Sequence, residues 1–208
     1  MPEPFFDEWI APRYAVLWPE LFDPAVVGPA VEFLADLAGA GGALELGIGT
    51  GRVALPLSRR GVRVRGVELS AAMAHQLQVA SAGEDIDVVI GDLATTTLGE
   101  TFGLVYLLRN TITNLTSQDH QIEAFRNAAR HVKPGGCFVV ENYVPQLRRL
   151  PSGEKIHVFA HTATHVGFEE YDVESQIAYS HWSDWKRGPF TGDSRSHISV
   201  WQKPSTGG

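Results

Sequence analysis

Apolar residues along the first two thirds of the chain alternate between helical spacing and short continuous runs. Residues 21–38 carry apolar side chains at helical spacing, at Val27, Val31, Leu34 and Leu37. The glycine pair at 41–42 is a helix stop signal. The run "ALELGI" that follows predicts a short buried strand.

The same alternation continues to residue 144. The predicted strands are 43–48, 62–69, 86–92, 102–108 and 137–144, and the further helices are 51–60, 71–81 with Ser70 as cap, and 117–132 with Ser117 as cap. For the last helix we predict a buried face formed by Ile122, Phe125, Ala129 and Val132. Apolar strands that alternate with helices form a parallel sheet covered on both faces, so the pattern predicts an α/β fold.

Beyond residue 145 the apolar positions alternate with period two, as in "HVFAHTATHVGF", "QIAYSHWSDW" and "HISVWQK". This pattern predicts antiparallel strands, and it contains no convincing amphipathic helix. Seven aromatic residues occur here, at Phe168, Tyr171, Tyr179, Trp182, Trp185, Phe190 and Trp201. Such strands need cover, so we expect a homodimer whose interface includes Trp182 or Trp185.

Composition and charge narrow the function classes. A chain of 208 residues with 44% hydrophobic and 20% charged residues is typical of one globular domain. We find neither a membrane-length apolar run nor a secretory signal, and Cys137 is the single cysteine. We therefore expect a cytoplasmic protein. The net charge of −7 argues against nucleic acid as a partner. The cluster Arg59, Arg60, Arg63 and Arg65 is either a solvated helix end and strand or a phosphate-binding patch.

The stretch "ELGIGTGR" after the first strand is the main candidate for chemistry. Glu45 precedes glycines 47, 49 and 51 in a G-x-G-x-G pattern, which differs from the G-x-G-x-x-G fingerprint of dinucleotide sites. The glycines form either a plain strand–helix turn or a loop whose backbone approaches a ligand closely. Glu68 and Asp92 end the next two strands. Three acidic residues at neighbouring strand ends suit a cationic nucleoside and would repel a pyrophosphate.

Four motifs in order, "ELGIGTG", "VEL", "GDL" and "KPGG" before "CFVVE", resemble those of the class I S-adenosylmethionine-dependent methyltransferases. The resemblance covers residues 25 to 145. It implies a Rossmann-like, doubly wound, mostly parallel seven-stranded sheet, here with an antiparallel C-terminal extension. The implied cofactor is S-adenosyl-L-methionine. The chain is then one methyltransferase domain, with a helical lid (1–40), a cofactor-binding core (41–145) and a β-rich region for substrate or oligomerisation (146–208).

The resemblance also implies roles for individual residues. Glu45 and the glycines Gly47, Gly49 and Gly51 would surround the methionine end of the cofactor, with Glu68 on the ribose and Leu69 beside it. Asp92 and the Leu93 amide would bind the adenine. Met73 packs either on the adenine or in the core, and Arg52 either meets the cofactor carboxylate or covers the helix start. Tyr14, with Trp18, resembles a lid over the cofactor.

The fourth strand ends in "LLRNTITNL", where this family places the methyl group. Arg109 and Asn110 are therefore the candidate substrate-facing residues, although Asn110 also suits a turn. Amino methyltransferases of nucleic acids carry an Asp/Asn-Pro-Pro-aromatic motif here, so "RNTI" favours a small-molecule substrate. Among His157, His161 and His165, we select His161 as a candidate base, and we predict no metal site.

The reaction expected from the resemblance is methyl transfer to an oxygen, nitrogen or carbon nucleophile of a small molecule. Aligning the nucleophile with the methyl group supplies much of the rate enhancement, so no catalytic triad is required. Two alternatives keep the same cofactor site. One is a non-methylating enzyme such as a cyclase, and the other is a non-catalytic, cofactor-binding partner subunit.

Overall fold

The computed structural model describes residues 6, 8–84, 86–144, 152, 156–161, 166–170 and 196–203, with the backbone alone for 156–161, 166–170 and 196–198. The α-helices in these ranges are α1 (Tyr14–Leu17), α2 (Pro24–Ala38), α3 (Ala54–Arg59), α4 (Ala71–Ala80) and α5 (Gln118–His131). The strands are β1 (Ala43–Leu46), β2 (Val64–Glu68), β3 (Asp87–Ile90), β4 (Phe102–Leu107), β5 (Val132–Tyr143), β6 (Ile156–His161), β7 (Val166–Glu170) and β8 (Ser196–Gln202). Each helix and strand predicted up to residue 144 is present, and most have shorter ends. Strand β5 instead begins five residues earlier than predicted, so Val132 belongs to this strand and not to the helix.

The main sheet has the strand order β3-β2-β1-β4-β5-β8. Its first five strands are parallel, and β8 pairs antiparallel with β5. Strands β6 and β7 form a separate antiparallel pair. The predicted α/β class and the antiparallel C-terminal strands are confirmed. The predicted number of strands is not, because the main sheet has six strands within the described residues rather than seven.

The strand order brings β1 between β2 and β4, although β4 comes much later in the chain. Connections therefore leave β1 and β4 in opposite directions across the sheet. This reversal opens a crevice at the carboxyl ends of the two strands, where open α/β sheets bind ligands.

Apolar side chains fill both faces of the sheet. One cluster joins the sheet to α2, α3 and α4 through residues such as Leu34, Leu57 and Leu77. The other joins the opposite face to α5 and includes Phe102, Val105 and Ala128. Burial on both faces explains why the strands read as continuous apolar runs.

The buried face of α5 differs from the predicted one. Ile122, Phe125 and Ala129 are exposed, and the residues of α5 that are buried are Ala124, Asn127, Ala128 and His131. Two of these are polar, and polar groups can be buried when they are hydrogen-bonded. The Asn127 amide donates to the Leu93 and Thr96 carbonyls, and His131 Nε2 accepts the Leu98 N–H. The apolar pattern misses this face because it treats Asn and His as surface residues.

The arginine cluster is paired with acidic side chains. The ion pairs join Arg59 to Glu84, Arg60 to Glu32, Arg63 to Glu100, and Arg65 to both Asp87 and Glu100. Since each guanidinium already has a carboxylate partner, this geometry favours the solvated surface over the phosphate-binding patch.

Trp201 on β8 packs within its own chain, stacked on Phe138 with ring centroids 5.6 Å apart and edge-to-face with Phe125 at 5.1 Å. Trp182 and Trp185, and the predicted lack of a helix over 171–195, lie outside the described residues. Within the part of the chain that is described, no helix is long and apolar enough to cross a membrane.

Candidate functional site

A cavity of about 580 Å³ lies at the carboxyl ends of β1, β2 and β4. Most of the predicted site residues line this cavity. Those that line it are Tyr14, Glu45, Gly47, Gly49, Arg52, Glu68, Leu69, Met73, Asp92, Leu93, Arg109 and Asn110. Three carboxylates from the ends of β1, β2 and β3 therefore line one cavity, as expected for neighbouring parallel strands.

The glycine loop approaches the cavity with its backbone. Gly47 and Gly49 have φ values of 78° and 57°, in the left-handed region that favours glycine. A Cβ on Gly47 would lie 2.7 Å from the Thr111 Cγ2 atom. A side chain at Gly47 would therefore close the space between the loop and the end of β4.

Gly51 belongs to the same loop but is not among the residues that line this cavity. A Cβ there would lie 2.9 Å from Leu77 Cγ and 3.1 Å from Leu55 Cγ. The missing side chain at Gly51 thus lets the loop pack closely on α3 and α4. Met73, in contrast, is buried in the core and also lines the cavity, so its position is compatible with both alternatives.

Glu68 supports the glycine loop. Its Oε2 atom accepts the Gly49 N–H at 2.8 Å, and its Oε1 atom accepts the Ser70 N–H at 2.9 Å. Burial raises the pKa of the Glu68 carboxyl group, and the backbone N–H groups of Ser70, Gly49 and Leu69 oppose that rise. Each oxygen keeps further acceptor capacity, so Glu68 can bind hydroxyl groups of a ligand while it holds the loop.

Glu45 lines the cavity and contacts Tyr106, a buried residue that the sequence does not indicate as part of the site. The Tyr106 hydroxyl donates to Glu45 Oε2 at 2.9 Å, and Tyr106 is fully buried. Burial raises the pKa of Glu45 to about 8. Adjacent positions on β1 and β4 create this contact, which only the strand order reveals.

Asp92 is held by two partners. Its Oδ1 atom accepts the Ala94 N–H at 2.8 Å, and its Oδ2 atom lies 3.3 Å from His120 Nε2. His120 comes from the first turn of α5 and lines the cavity. His120 is not evident from the sequence, because nothing in its spacing shows that the start of α5 faces the end of β3.

Arg109 and Asn110 form an unusual turn at the end of β4. Both have left-handed φ values, 57° and 62°, although neither is glycine. The Arg109 N–H donates to Glu141 Oε2 at 2.9 Å, and Asn110 Oδ1 accepts the Tyr143 N–H at 2.6 Å. The end of β5 therefore holds this turn at the cavity. Asn110 therefore has a structural role, but its side chain bonds to the Tyr143 backbone and does not cap the turn itself.

The N-terminal segment covers one side of the cavity. Phe6 and Tyr14 line it, and the Ser70 hydroxyl donates to the Phe6 carbonyl. The Tyr14 ring packs on Trp18 with a centroid distance of 5.1 Å, and burial raises the pKa of its hydroxyl. Arg52 donates to the Leu21 carbonyl at 3.2 Å, which ties the glycine loop to this segment.

Two of the predicted histidines are on β6, and the third is His165. The backbone of His157 and His161 is described, but their side chains and all of His165 lie outside the described residues. The proposed base His161 is therefore not located relative to the cavity.

The acidic side chains of the cavity suit a cationic nucleoside. Ligand cavities typically have volumes of roughly 300–1,000 Å³, and this cavity lies within that range. Thr50 Oγ1 is buried at the cavity wall and has no hydrogen-bond partner among the described residues, which leaves it available to a polar ligand. A second cavity of about 590 Å³, between α1, α2 and α3, has no acidic side chain among its described lining residues.

Residues 43–136 match the model of a methyltransferase domain family. Over 94 residues the chain is 37% identical to the cypemycin N-terminal methyltransferase of a Streptomyces species. The aligned segment covers 45% of this chain and 38% of that protein. Over 98 residues it is 33% identical to the dTDP-4-amino-2,3,4,6-tetradeoxy-D-glucose N,N-dimethyltransferase of Saccharopolyspora spinosa, which covers 47% and 39%. The matches thus span about two fifths of these curated relatives.

Similarity to a solved structure extends over the whole chain. The CcbJ methyltransferase from Streptomyces caelestis superimposes with a TM-score of 0.77 and 29% sequence identity, covering 99% of this chain and 100% of that one. The structural match therefore includes the antiparallel C-terminal strands, whereas the match to the family model ends at residue 136.

Proposed function

We propose that the chain is a class I S-adenosylmethionine-dependent methyltransferase that transfers a methyl group from S-adenosylmethionine to the amine nitrogen of a small molecule. The match of residues 43–136 to a methyltransferase domain family and the similarity to a solved methyltransferase support this proposal. The observation that carries the proposal is the cavity in which Glu45, Glu68 and Asp92 meet the glycine loop. When bound, the cofactor supplies a methyl group on a positively charged sulfur, which a nucleophile can take by in-line displacement.

The cofactor-binding residues are assigned by their contacts in the free protein. We propose that Glu68 accepts the ribose hydroxyls, because both its oxygens are already fixed by backbone N–H groups. Asp92 and the Leu93 amide would bind the adenine, and Glu45 would face the ammonium group of the methionine end. Thr50 and Arg52 would meet the cofactor carboxylate, with Tyr14 as part of the covering lid.

The acceptor side of the cavity is formed by the turn at Arg109 and Asn110 and by the 3₁₀ helix Thr111–Asn114 that follows. These groups are hydrogen-bonding rather than acidic, and they suit a polar substrate. Their role is to position the amine and to exclude water, which supplies much of the rate of a displacement reaction. A neutral amine needs no base before it attacks, so His161 remains a proposal for substrates that bind as ammonium ions.

Nitrogen is preferred over oxygen or carbon because the two curated relatives are named for methylation of amino groups. Both are also named for acceptors other than nucleic acids. The lid (1–40), the cofactor core (41–145) and the β-rich substrate region (146–208) remain our division of the domain. A homodimer and a cytoplasmic location are likewise proposals, based on the aromatic C-terminal segment and the free, buried Cys137.

Label transfer tests the function directly. Purified protein is incubated with methyl-labelled S-adenosylmethionine and a panel of peptides and sugars, each offered with a free amine, a blocked amine or a hydroxyl in its place. We expect label in the free-amine compounds alone. Label in the hydroxyl compounds would overturn the nitrogen assignment. Cofactor binding without transfer to any compound or to a metabolite extract would favour the non-methylating enzyme or the partner subunit.

A further inference from the structure

We propose that Tyr106 is a positioning residue for Glu45, and that the Glu45 carboxyl group releases a proton when the cofactor binds. This inference rests on the proposed function only in so far as the ligand is S-adenosylmethionine. It concerns the free energy of cofactor binding and is independent of the methyl acceptor.

The contact follows from the register of the sheet. Glu45 on β1 and Tyr106 on β4 are direct partners in parallel pairing, so their side chains project from the same face. The Tyr106 hydroxyl donates to Glu45 Oε2 at 2.9 Å. Tyr106 is 0% exposed and Glu45 is 6% exposed. Glu45 lines the cavity and Tyr106 does not, so the phenol holds the carboxyl group from the side of the protein core.

The surroundings of Glu45 favour its neutral form. Burial is the largest cause that raises its pKa to about 8, and the nearby Glu68 carboxylate adds to the rise. The Tyr106 hydrogen bond and the Arg52 charge oppose it, without reversing it. Burial also raises the pKa of Tyr106, so the phenol keeps its proton and remains a donor. The other titratable or charged groups that line the cavity are Tyr14, Asp92, Arg109 and His120.

A cation beside Glu45 reverses this balance. An ammonium group in contact with a carboxylate stabilises the charged form, so the pKa of Glu45 falls on binding. The carboxyl O–H bond then breaks, and the proton passes to the buffer. Because the pKa is lower in the bound state, the contribution of Glu45 makes cofactor affinity rise with pH up to about 8. Above that pH the α-amino group of the cofactor loses its own proton, so affinity no longer rises.

Calorimetry measures the released proton without any catalytic turnover. S-adenosylmethionine is titrated into the protein at about pH 6.5, where its α-amino group stays charged, in two buffers that differ in ionisation enthalpy. We expect release of about one proton per site, since Glu45 is neutral in the free protein and charged in the complex. The Glu45→Gln variant should release none, and the His120→Asn variant should still release it.

The Tyr106→Phe variant tests the positioning role. It keeps the buried ring and removes only the donor, so the Glu45 carboxyl group becomes harder to ionise. We expect affinity to be about tenfold weaker at pH 6.5 and to approach that of the parent as pH rises. If Tyr106 served packing alone, the Tyr106→Phe variant would bind like the parent, or more weakly by the same factor at every pH.

The outcomes separate this inference from the proposed function. Tight binding with no proton release, or release that persists in Glu45→Gln, would overturn the inference and leave the cofactor assignment intact. A pH-independent effect of Tyr106→Phe would overturn the positioning role. Absence of any S-adenosylmethionine binding by the parent protein would overturn the proposed function and this inference together.

Discussion

The Glu141 carboxylate on β5 accepts a hydrogen bond of 2.9 Å from the backbone N–H of Arg109, the second residue after β4. The bond crosses between neighbouring strand ends and fixes a backbone that is strained at Arg109 and Asn110. Non-glycine residues in the left-handed region cost of order 1–2 kcal/mol each, so the turn persists because its surroundings determine it. The strained turn at Arg109 and Asn110 therefore lies at the acceptor side of the proposed site.

Replacing Glu141 should loosen that turn. Glu141→Ala removes the acceptor of the Arg109 N–H, and we expect the free energy of unfolding in urea to fall by about 1–2 kcal/mol. The Arg109 amide should also exchange its hydrogen faster. Glu141→Gln keeps an acceptor oxygen and serves as the control. Its free energy of unfolding should fall by less than about half the fall seen in Glu141→Ala. Equal losses for the two variants would mean that the hydrogen bond does not hold the turn.

Glu68 should be the most sensitive of the cavity carboxylates to truncation. Glu68→Ala leaves the ribose hydroxyls unpaired and also frees the Gly49 and Ser70 N–H groups, so we expect S-adenosylmethionine binding to weaken by about 1–3 kcal/mol. Isothermal calorimetry at neutral pH measures the change. The matched control is Glu123→Ala, which removes one negative charge on the outer side of α5 and should leave affinity unaltered. Unchanged affinity in Glu68→Ala would refute the ribose assignment.

The sequence predicts the order of helices and strands up to residue 144, and the segment that holds its four motifs includes residues 43–136, which match a methyltransferase domain family. Such predictions succeed where the signal is local, as in the caps Ser70 and Ser117, each of which accepts the backbone N–H three residues on. The carboxylates also follow from local reasoning, because the carboxyl ends of parallel strands share one edge.

The residues that sequence reasoning missed are those whose role depends on a contact between distant segments. Tyr106, His120 and Glu141 each meet a predicted site residue from another part of the chain, and no spacing indicates these pairs. The error on α5 has a similar cause. Asn127 is buried because carbonyls from the segment after β3 reach it, and an apolar periodicity cannot register such a partner.

Asn127 gives a direct test of that buried polar contact. Its amide donates to the Leu93 and Thr96 carbonyls at 2.8 Å each, which fixes the segment that carries the proposed adenine site. Asn127→Ala leaves both carbonyls without this donor, and we expect a loss of about 1–3 kcal/mol in unfolding free energy. Gln118→Ala, an exposed change on the same helix, should cost less than about 0.5 kcal/mol. A chemical denaturation midpoint unaltered in Asn127→Ala would contradict the interpretation.

The aromatic C-terminal segment leads to the last prediction, a homodimer that depends on Trp182 or Trp185. Trp201 is the internal comparison, because its ring is already stacked on Phe138 of its own chain. Sedimentation velocity at micromolar concentration should give a dimer for the parent protein and a monomer for the double variant Trp182→Ala, Trp185→Ala.

The Trp201→Ala variant separates association from folding. Loss of its contacts with Phe125 and Phe138 should lower the free energy of unfolding by about 1–3 kcal/mol without dissociating the dimer, since the ring is covered from within. The aromatic strands need cover on at least one face, and Trp201 already obtains it inside the chain. If the parent protein sediments as a monomer, the dimer prediction is wrong. Trp182 and Trp185 would then have to be covered by residues of their own chain, as Trp201 is.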